Sequence, residues 1–157
     1  MSKPSILFVC TLRGGRARIG ELFAEKIAGE LLDAASACFE PGPIRGLPVQ
    51  VMNEIGIELG SDLVPSIFQR FRTGRTFDYV VAMCDESGSE LCDLFRRNVT
   101  VMYGRKSRVL RWDVEDFSTL EGSREECLRR AAGLRDRIHA QVREFLAEIG
   151  VRECATV

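Results

Sequence analysis

The sequence predicts an α/β fold, a three-layer sandwich in which helices cover both faces of a four-stranded parallel sheet. Two observations predict it. Short apolar runs without polar alternation, typical of strands buried on both faces, alternate along the chain with segments of helical periodicity. The chain has 157 residues, which suits a single domain spanning residues 1–157 around one sizeable core.

The first half of the chain supplies two strands and two helices. The unbroken apolar run Ser5–Cys10 is the first predicted strand. Apolar residues at helical spacing predict a helix over Ala17–Glu30, and a weaker strand follows over Leu32–Cys38. Prolines and glycines predict a loop from 39 to 47, and a second helix is predicted over Pro48–Ile57.

The second half continues the alternation. A short helix is predicted over Ser66–Arg72, and the run Asp78–Cys84 predicts the third strand. Asp85–Asp93 is predicted as a polar loop or a short helix. Val99–Tyr103 is predicted as the fourth strand, and Val109–Asp113 as an extension of the sheet. The segment 118–149 is predicted to be mostly helical, with Ser123 as its N-cap and Glu126 three residues on.

The turn after the first strand carries the strongest chemical signal. Cys10 ends the strand and Arg16 opens the following helix; between them lie Thr11, Leu12, Arg13, Gly14 and Gly15. Such a loop can wrap an oxyanion of phosphate shape, because its backbone N–H groups, the helix N-terminus and the forked guanidinium all favour negative charge. We expect the same field to lower the pKa of Cys10 and to make its thiolate a nucleophile under the bound anion.

Composition excludes several other classes of protein. The formal net charge of −1 gives no reason to expect a nucleic-acid partner. We expect no membrane association, since no apolar run approaches the roughly 18 residues that span a bilayer. The start Met1–Pro4 lacks a signal-peptide pattern, so a cytoplasmic protein with reduced cysteines is expected. Without a Cys-x2-Cys pair or a histidine cluster, no metal and no cofactor is predicted.

Cys84, like Cys10, ends a predicted strand. Because ligands of parallel sheets bind outside the carboxyl ends of the strands, the two thiols are expected on one rim. Six stretches then resemble a known family: Phe8-Val9-Cys10-Thr11 with Arg16 and Glu21; Ser36-Ala37; Pro41-Gly42-Pro43; Glu54-Ile55-Gly56-Ile57; Phe77-Asp78-Tyr79-Val80-Val81 leading to Met83-Cys84-Asp85; and Arg111-Trp112-Asp113-Val114-Glu115-Asp116.

The chain resembles the low-molecular-weight protein tyrosine phosphatases, and more closely their offshoot, the thioredoxin-coupled arsenate reductases. The resemblance runs from about Ile6 to Ile149 and implies the flavodoxin-like fold of that family. Met83-Cys84 favours the reductase branch, because the phosphatases usually carry Met-Asp there.

The resemblance implies a relay of three thiols. Cys10 would attack arsenate, Cys84 would attack the covalent adduct, and Cys92 would attack Cys84 and carry the disulfide outward to thioredoxin. The polar loop from Cys84 to Cys92 contains Gly88 and can move, as a shuttling disulfide requires. The resemblance also makes Asp116 the general acid that protonates the leaving oxygen.

The chain departs from the family pattern in the loop, and two of the departures, Arg13 and Ala17, bear on the chemistry. Ala17 replaces the serine whose hydroxyl stabilises the thiolate. Arg13 replaces an asparagine that, in some reductases of the family, binds potassium together with a glutamate and a serine; Glu21 and Ser36 match those two. The hypothesis is that the guanidinium of Arg13 takes the place of the cation and pairs with Glu21.

Three functions remain open from the sequence. The first is reduction of arsenate to arsenite by Cys10, Cys84 and Cys92. The second is hydrolysis of phosphomonoesters through a Cys10 phosphocysteine, which needs Arg16 and Asp116 but neither other thiol. The third is a divergent, non-catalytic module that binds oxyanions. The expected partners are a small oxyanion, arsenate or phosphate, and thioredoxin as the reductant.

Overall fold

The computed structural model describes residues 3–88 and 90–151. Within them, one sheet contains β1 (Ser5–Arg13), β2 (Asp33–Pro41), β3 (Tyr79–Cys84) and β4 (Arg108–Asp113). Neighbouring strands pair in parallel in the order β2-β1-β3-β4. The predicted α/β fold, a three-layer, flavodoxin-like sandwich around a four-stranded parallel sheet, is confirmed.

Helices cover both faces of this sheet. They are α1 (Gly15–Ala28), α2 (Leu47–Asn53), α3 (Ile67–Arg72), α4 (Cys92–Tyr103) and α5 (Arg124–Glu148), with a single 3-10 turn at Phe117–Thr119. Side chains of successive strand residues point to opposite faces. In β1, Ile6 and Phe8 therefore join the core with α1, α2 and α5, whereas Leu7 and Val9 join the core with α3 and α4. Among the described residues, no helix is both long and apolar enough to span a membrane.

The prediction of a strand over Val99–Tyr103 is wrong, because this segment is the second half of α4. Phe95, Val99 and Tyr103 are buried at a spacing of four residues and pack on the sheet. Val101 would share their face in a strand, but it is 77% exposed on the far side of the helix. The fourth strand is β4, formed by the segment predicted only as an extension.

Two predicted helix starts are confirmed. The Ser66 hydroxyl accepts a hydrogen bond from the Gln69 N–H at 3.1 Å and forms a capping box at α3. The Ser123 hydroxyl accepts one from the Glu126 N–H at 3.1 Å and caps α5. At the sheet, β1 continues three residues beyond Cys10, and the predicted loop after residue 38 begins as strand, because β2 pairs with this extension as far as Pro41.

Candidate active site

Cys10 and Cys84 lie at the same edge of the sheet, as expected from their strand ends. β1 pairs with β3, and Val9 faces Ala82 in that ladder, so Cys84 lies two residues after the partner of Val9. Both cysteines are fully buried. The arrangement brings the two thiol positions to the carboxyl rim, where parallel sheets bind ligands.

The loop after Cys10 leaves the sheet later than predicted. Leu12 and Arg13 still pair with Glu40 and Pro41 of β2, and only then does the chain turn. Arg13 has φ 59° and Gly14 has φ 93°, and the Gly14 N–H donates to the Leu12 carbonyl at 2.6 Å. At Gly14 a side chain is excluded, because an added Cβ would lie 2.5 Å from the Cβ of Val64. Because its N–H bonds to the Leu12 carbonyl, the Gly14 amide, which was expected to face an anion, is engaged within the loop.

Arg16 is oriented into the site by the first turn of α1, and its side chain is only 2% exposed. Its Nη1 donates to the Val114 carbonyl at 3.0 Å, and its Nη2 donates to the Thr11 hydroxyl at 2.9 Å. These bonds hold the guanidinium where its positive charge acts on the Cys10 thiol.

The remaining donors of Arg16 are directed at Glu90, a residue that the sequence reasoning did not include in the site. Nη1 donates to Oε1 and Nη2 to Oε2, each at 2.8 Å. The Thr11 hydroxyl donates to Oε2, and the Asp85 N–H donates to Oε1 at 2.8 Å. The Glu90 carboxylate thus occupies the position where the side chains of the loop would hold an oxyanion. The one feature of the sequence that could have pointed to Glu90 is its location in the polar loop between the candidate thiols Cys84 and Cys92.

Cys84 and Cys92 are joined by a disulfide, with their Cα atoms 5.9 Å apart. The Cys84 sulfur is 3.8 Å from Oε1 of Glu90, so it borders the position of the carboxylate. Cys92 is the first residue of α4 and is half-buried beside a cavity of about 580 Å³. Leu91 and Leu94 on either side of it are 71% and 51% exposed.

The prediction that the loop lowers the pKa of Cys10 is wrong for this conformation. Burial raises the pKa of Cys10, and the negative charges of Glu90 and Asp116 raise it further. Arg16 and a hydrogen bond from the Ala17 N–H act in the opposite direction but do not compensate. The surroundings of Cys10 therefore favour the thiol over the thiolate while Glu90 pairs with Arg16.

Asp116 lies at the mouth of a second cavity. This cavity, of about 320 Å³, is lined by Asp116, Arg16 and Arg13 together with apolar side chains that include Leu12, Ile44, Pro48 and Phe117. Asp116 accepts hydrogen bonds from the amide and the hydroxyl of Ser118, at 3.2 and 2.8 Å, and is held there. The side chain of the neighbouring Glu115 instead lies 3.9 Å from Arg130 on α5.

The hypothesis that Arg13 pairs with Glu21 is wrong. Arg13 is exposed, and the partner of Glu21 is Arg18, whose Nη1 donates to Oε1 at 2.7 Å. The Ser36 hydroxyl donates to the same oxygen at 2.6 Å. A guanidinium does neutralise the buried Glu21 carboxylate, but it is that of Arg18. Arg18 precedes Glu21 by three residues in α1, and residues three apart are neighbours on a helix.

Cys38 and Cys127 lie outside this arrangement. Cys38 is buried in β2, paired in the ladder with Cys10, and Cys127 is half-buried in α5. Cys154 lies outside the described residues. Cys10, Cys38 and Cys127 are free thiols.

Comparisons with known proteins show what this chain is similar to. Residues 5–153 match the family model of the low molecular weight phosphotyrosine protein phosphatases. An arsenate reductase of Halalkalibacterium halodurans is 29% identical over 150 residues, which cover 96% of this chain and 99% of the relative.

Two solved structures share the fold. The low molecular weight protein tyrosine phosphatase of T. tengcongensis superposes with a TM-score of 0.68 at 21% identity, covering 93% of this chain and 99% of that one. The thioredoxin-dependent arsenate reductase of Corynebacterium glutamicum superposes with a TM-score of 0.62 at 21% identity, covering 94% of this chain and 62% of that one.

Proposed function

Because the chain belongs to the low molecular weight phosphotyrosine protein phosphatase family, a family of enzymes, we propose that it is an arsenate reductase whose three thiols act in sequence. The observation that carries the proposal is the Cys84–Cys92 disulfide at the rim of the Cys10 loop, with the Cys84 sulfur 3.8 Å from an oxygen that Arg16 holds. An arsenate in place of that carboxylate would lie within reach of both Cys10 and Cys84.

In the first step, the Cys10 thiolate attacks arsenic and an arsenate oxygen leaves as water, with Asp116 donating a proton. In the second, the Cys84 thiolate attacks the Cys10 sulfur. The sulfur–arsenic bond breaks, its electron pair reduces As(V) to As(III), and arsenite leaves behind a Cys10–Cys84 disulfide.

In the third step, Cys92 attacks Cys84 and releases the Cys10 thiolate. The resulting Cys84–Cys92 disulfide is the bond that the structure contains. An external dithiol then reduces it and supplies the two electrons of the cycle. We propose a protein of the thioredoxin class, because Cys92 opens onto a cavity of about 580 Å³ that is lined by two exposed leucines and by charged side chains, where a partner surface with both apolar and charged groups fits.

Oxyanion binding is assigned to the loop Thr11, Leu12, Arg13, Gly14, Gly15 and Arg16. Two of its side chains, Thr11 and Arg16, already hold a carboxylate in the required position. Further donors come from the loop backbone once the Leu12–Gly14 turn opens, since successive N–H groups form anion-binding concavities.

A second candidate is hydrolysis of phosphomonoesters through a Cys10 phosphocysteine. The cavity at Asp116 favours it, because its apolar wall of Leu12, Ile44, Pro48 and Phe117 fits an aromatic leaving group beside Arg16. This reaction needs no second thiol.

An arsenate assay coupled to thioredoxin, its reductase and NADPH tests the proposal, with a p-nitrophenyl phosphate assay in parallel. We expect Cys10→Ser, Cys84→Ser and Cys92→Ser each to lower arsenate turnover at least about 100-fold, since each removes an obligatory nucleophile. Cys10 should remain alkylatable in Cys84→Ser. Cys127→Ser, on α5, is the matched control and should retain turnover.

The outcomes separate the candidates. Full turnover in Cys84→Ser or Cys92→Ser would contradict the relay. Hydrolysis of p-nitrophenyl phosphate that survives both substitutions, without arsenite formation, would establish the phosphatase instead. Binding of phosphate with no product from either substrate would identify a non-catalytic module.

A further inference from the structure

Glu90 makes the contacts that a tetrahedral anion would make. Its two oxygens accept the two forked donors of Arg16 at 2.8 Å each, which is the bidentate geometry that guanidinium offers to phosphate-like groups. The Thr11 hydroxyl adds a third donor and the Asp85 N–H a fourth. With 9% of its side chain exposed, Glu90 leaves little room for a second anion.

The disulfide determines where this carboxylate lies. Glu90 precedes Cys92 by two residues, and the bond to Cys84 ties Cys92 to the end of β3. The segment between the two cysteines is closed into a short loop, in which the Asp85 N–H also bonds to Glu90. Reduction removes this covalent restraint. Hydrogen bonds to Arg16, Thr11 and the Asp85 N–H are then all that holds the Glu90 carboxylate in the site.

The charge of Glu90 also acts on the nucleophile. It neutralises the Arg16 guanidinium that would otherwise favour a thiolate. In this state burial, Glu90 and Asp116 together raise the pKa of Cys10. A carboxylate at this position therefore fills the anion site and adds to the effect of burial, which raises the pKa of Cys10.

We propose that Glu90 is a specificity-determining residue: an internal competitor that occupies the oxyanion site when the Cys84–Cys92 disulfide forms and vacates it on reduction. This inference rests on the proposed function only in assigning the Cys10–Arg16 loop to oxyanions. Its consequence is an ordered cycle, in which arsenate or phosphate binds the reduced protein and the oxidised protein rejects both. Competing phosphate is displaced when the last thiol step is complete.

Binding of inorganic phosphate, measured by isothermal titration calorimetry, tests the proposal. Wild type and Glu90→Gln are each compared in oxidised and reduced form. A tethered competitor acts at an effective concentration in the millimolar range, so we expect oxidised wild type to bind phosphate at least about tenfold more weakly than reduced wild type. Oxidised and reduced Glu90→Gln should have the same Kd within about threefold.

Glu86→Gln is the matched control, because it removes the same charge from the same segment but its carboxylate pairs with Arg96 at 2.5 Å. It should behave like wild type in both redox states. Glu90→Ala removes the side-chain oxygens as well and serves where glutamine still bonds to Arg16. A second readout is the alkylation rate of Cys10 at pH 7, followed by mass spectrometry, which should be higher in oxidised Glu90→Gln than in oxidised wild type.

Equal phosphate affinity in the oxidised and reduced wild type would overturn the inference and leave the proposed function intact. Weak binding by the oxidised form of every variant would also overturn it, because the disulfide alone would then close the site. Failure of the reduced wild type and of both Glu90 variants to bind phosphate would instead contradict the oxyanion site on which the proposed function depends.

Discussion

At the scale of single residues, Cys10 is held between one cation and two anions. Burial, Glu90 and Asp116 raise its pKa, while Arg16 and the Ala17 N–H lower it. Both terminal nitrogens of the Arg16 guanidinium donate hydrogen bonds to the Glu90 carboxylate. Nucleophilicity at this site therefore depends on which anion Arg16 pairs with.

Ala17 offers a direct way to change the reactivity of Cys10. Its N–H is the backbone donor to the Cys10 sulfur, and its side chain is fully buried. In Ala17→Ser the added hydroxyl can donate to the thiolate. A hydrogen bond to a charged group contributes about 1.5–3 kcal/mol, so we expect the pKa of Cys10 in the reduced protein to fall by about one unit. The pH dependence of Cys10 alkylation by iodoacetamide, mapped by mass spectrometry, measures it.

Ala17→Gly is the control for backbone effects. It adds no hydrogen-bond donor, so it should not lower the pH midpoint of Cys10 alkylation. An alkylation midpoint that stays the same or rises in Ala17→Ser would show that the hydroxyl faces away from the sulfur.

Residue identities alone are a poor guide to which arginine pairs with which carboxylate. The sequence singled out Arg13 for Glu21, but Arg13 emerges from a left-handed turn with φ 59° and is exposed. Arg18 is the partner because it lies three residues from Glu21 on the same helix face. That spacing is visible in the sequence, whereas the left-handed turn is not.

At the scale of secondary structure, α4 illustrates an ambiguity of short apolar runs. The alternation of Val99, Val101 and Tyr103 is compatible with a strand. Once Phe95 is included, however, the spacing of four residues from Phe95 to Val99 to Tyr103 is equally compatible with a helix. Packing decides for the helix: Phe95, Val99 and Tyr103 fill the core under β3 and β4, and Val101 stays in solvent. Because the correct fourth strand follows directly, the sheet keeps the predicted number of strands.

The contact of α1 with β1 depends on Gly20. A Cβ added at Gly20 would lie 2.8 Å from the Phe8 ring, which is fully buried. We expect Gly20→Ala to lower the free energy of unfolding by about 1–3 kcal/mol, because overpacking outweighs the better helix propensity of alanine. Urea unfolding followed by circular dichroism measures the change.

Gly133 in α5 is the matched control, since it is exposed and an added Cβ would meet no atom within 4 Å. Gly133→Ala should raise the free energy of unfolding by up to about 1 kcal/mol. A Gly20→Ala protein as stable as wild type would mean that Phe8 can move aside, and that the close approach of α1 is not required.

At the scale of the whole molecule, ion pairs of Glu86 and Glu90 fasten the segment between β3 and α4 to the rest of the protein. Glu86 pairs with Arg96 at 2.5 Å, and Glu90 pairs with Arg16 at 2.8 Å. The hydrogen bond and charge of Arg96 lower the pKa of Glu86. For Glu90, burial opposes ionisation, but the hydrogen bonds and charge of Arg16 lower the pKa on balance.

These lowered pKa values predict how stability depends on acid. A carboxyl group whose pKa is lower in the folded than in the unfolded protein adds stability above the unfolded value, about 4.3 for glutamate, and loses it as the pH falls through the folded value. We expect the free energy of unfolding of the oxidised protein to fall more steeply below about pH 4 in wild type than in Glu86→Gln/Glu90→Gln. Urea titrations from pH 6 to pH 3 measure both slopes.

Unchanged m-values would verify that the double substitution leaves the extent of unfolding the same. If the free energy of unfolding fell with the same slope below about pH 4 in both proteins, neither ion pair would contribute to stability. The segment would then be held by the disulfide alone.

The sequence by itself determined the α/β class with four parallel strands, the placement of Cys10 and Cys84 near one edge of the sheet, and the short turn that separates Cys10 from Arg16. These features follow from apolar periodicity, turn residues and spacing, which act over a few neighbouring residues. Only the tertiary structure decided that Glu90 fills the position expected for the anion, and that the surroundings of Cys10 raise its pKa. Arg16 and Glu90 are 74 residues apart, and electrostatic effects at such a site depend on distances and burial that no local pattern encodes.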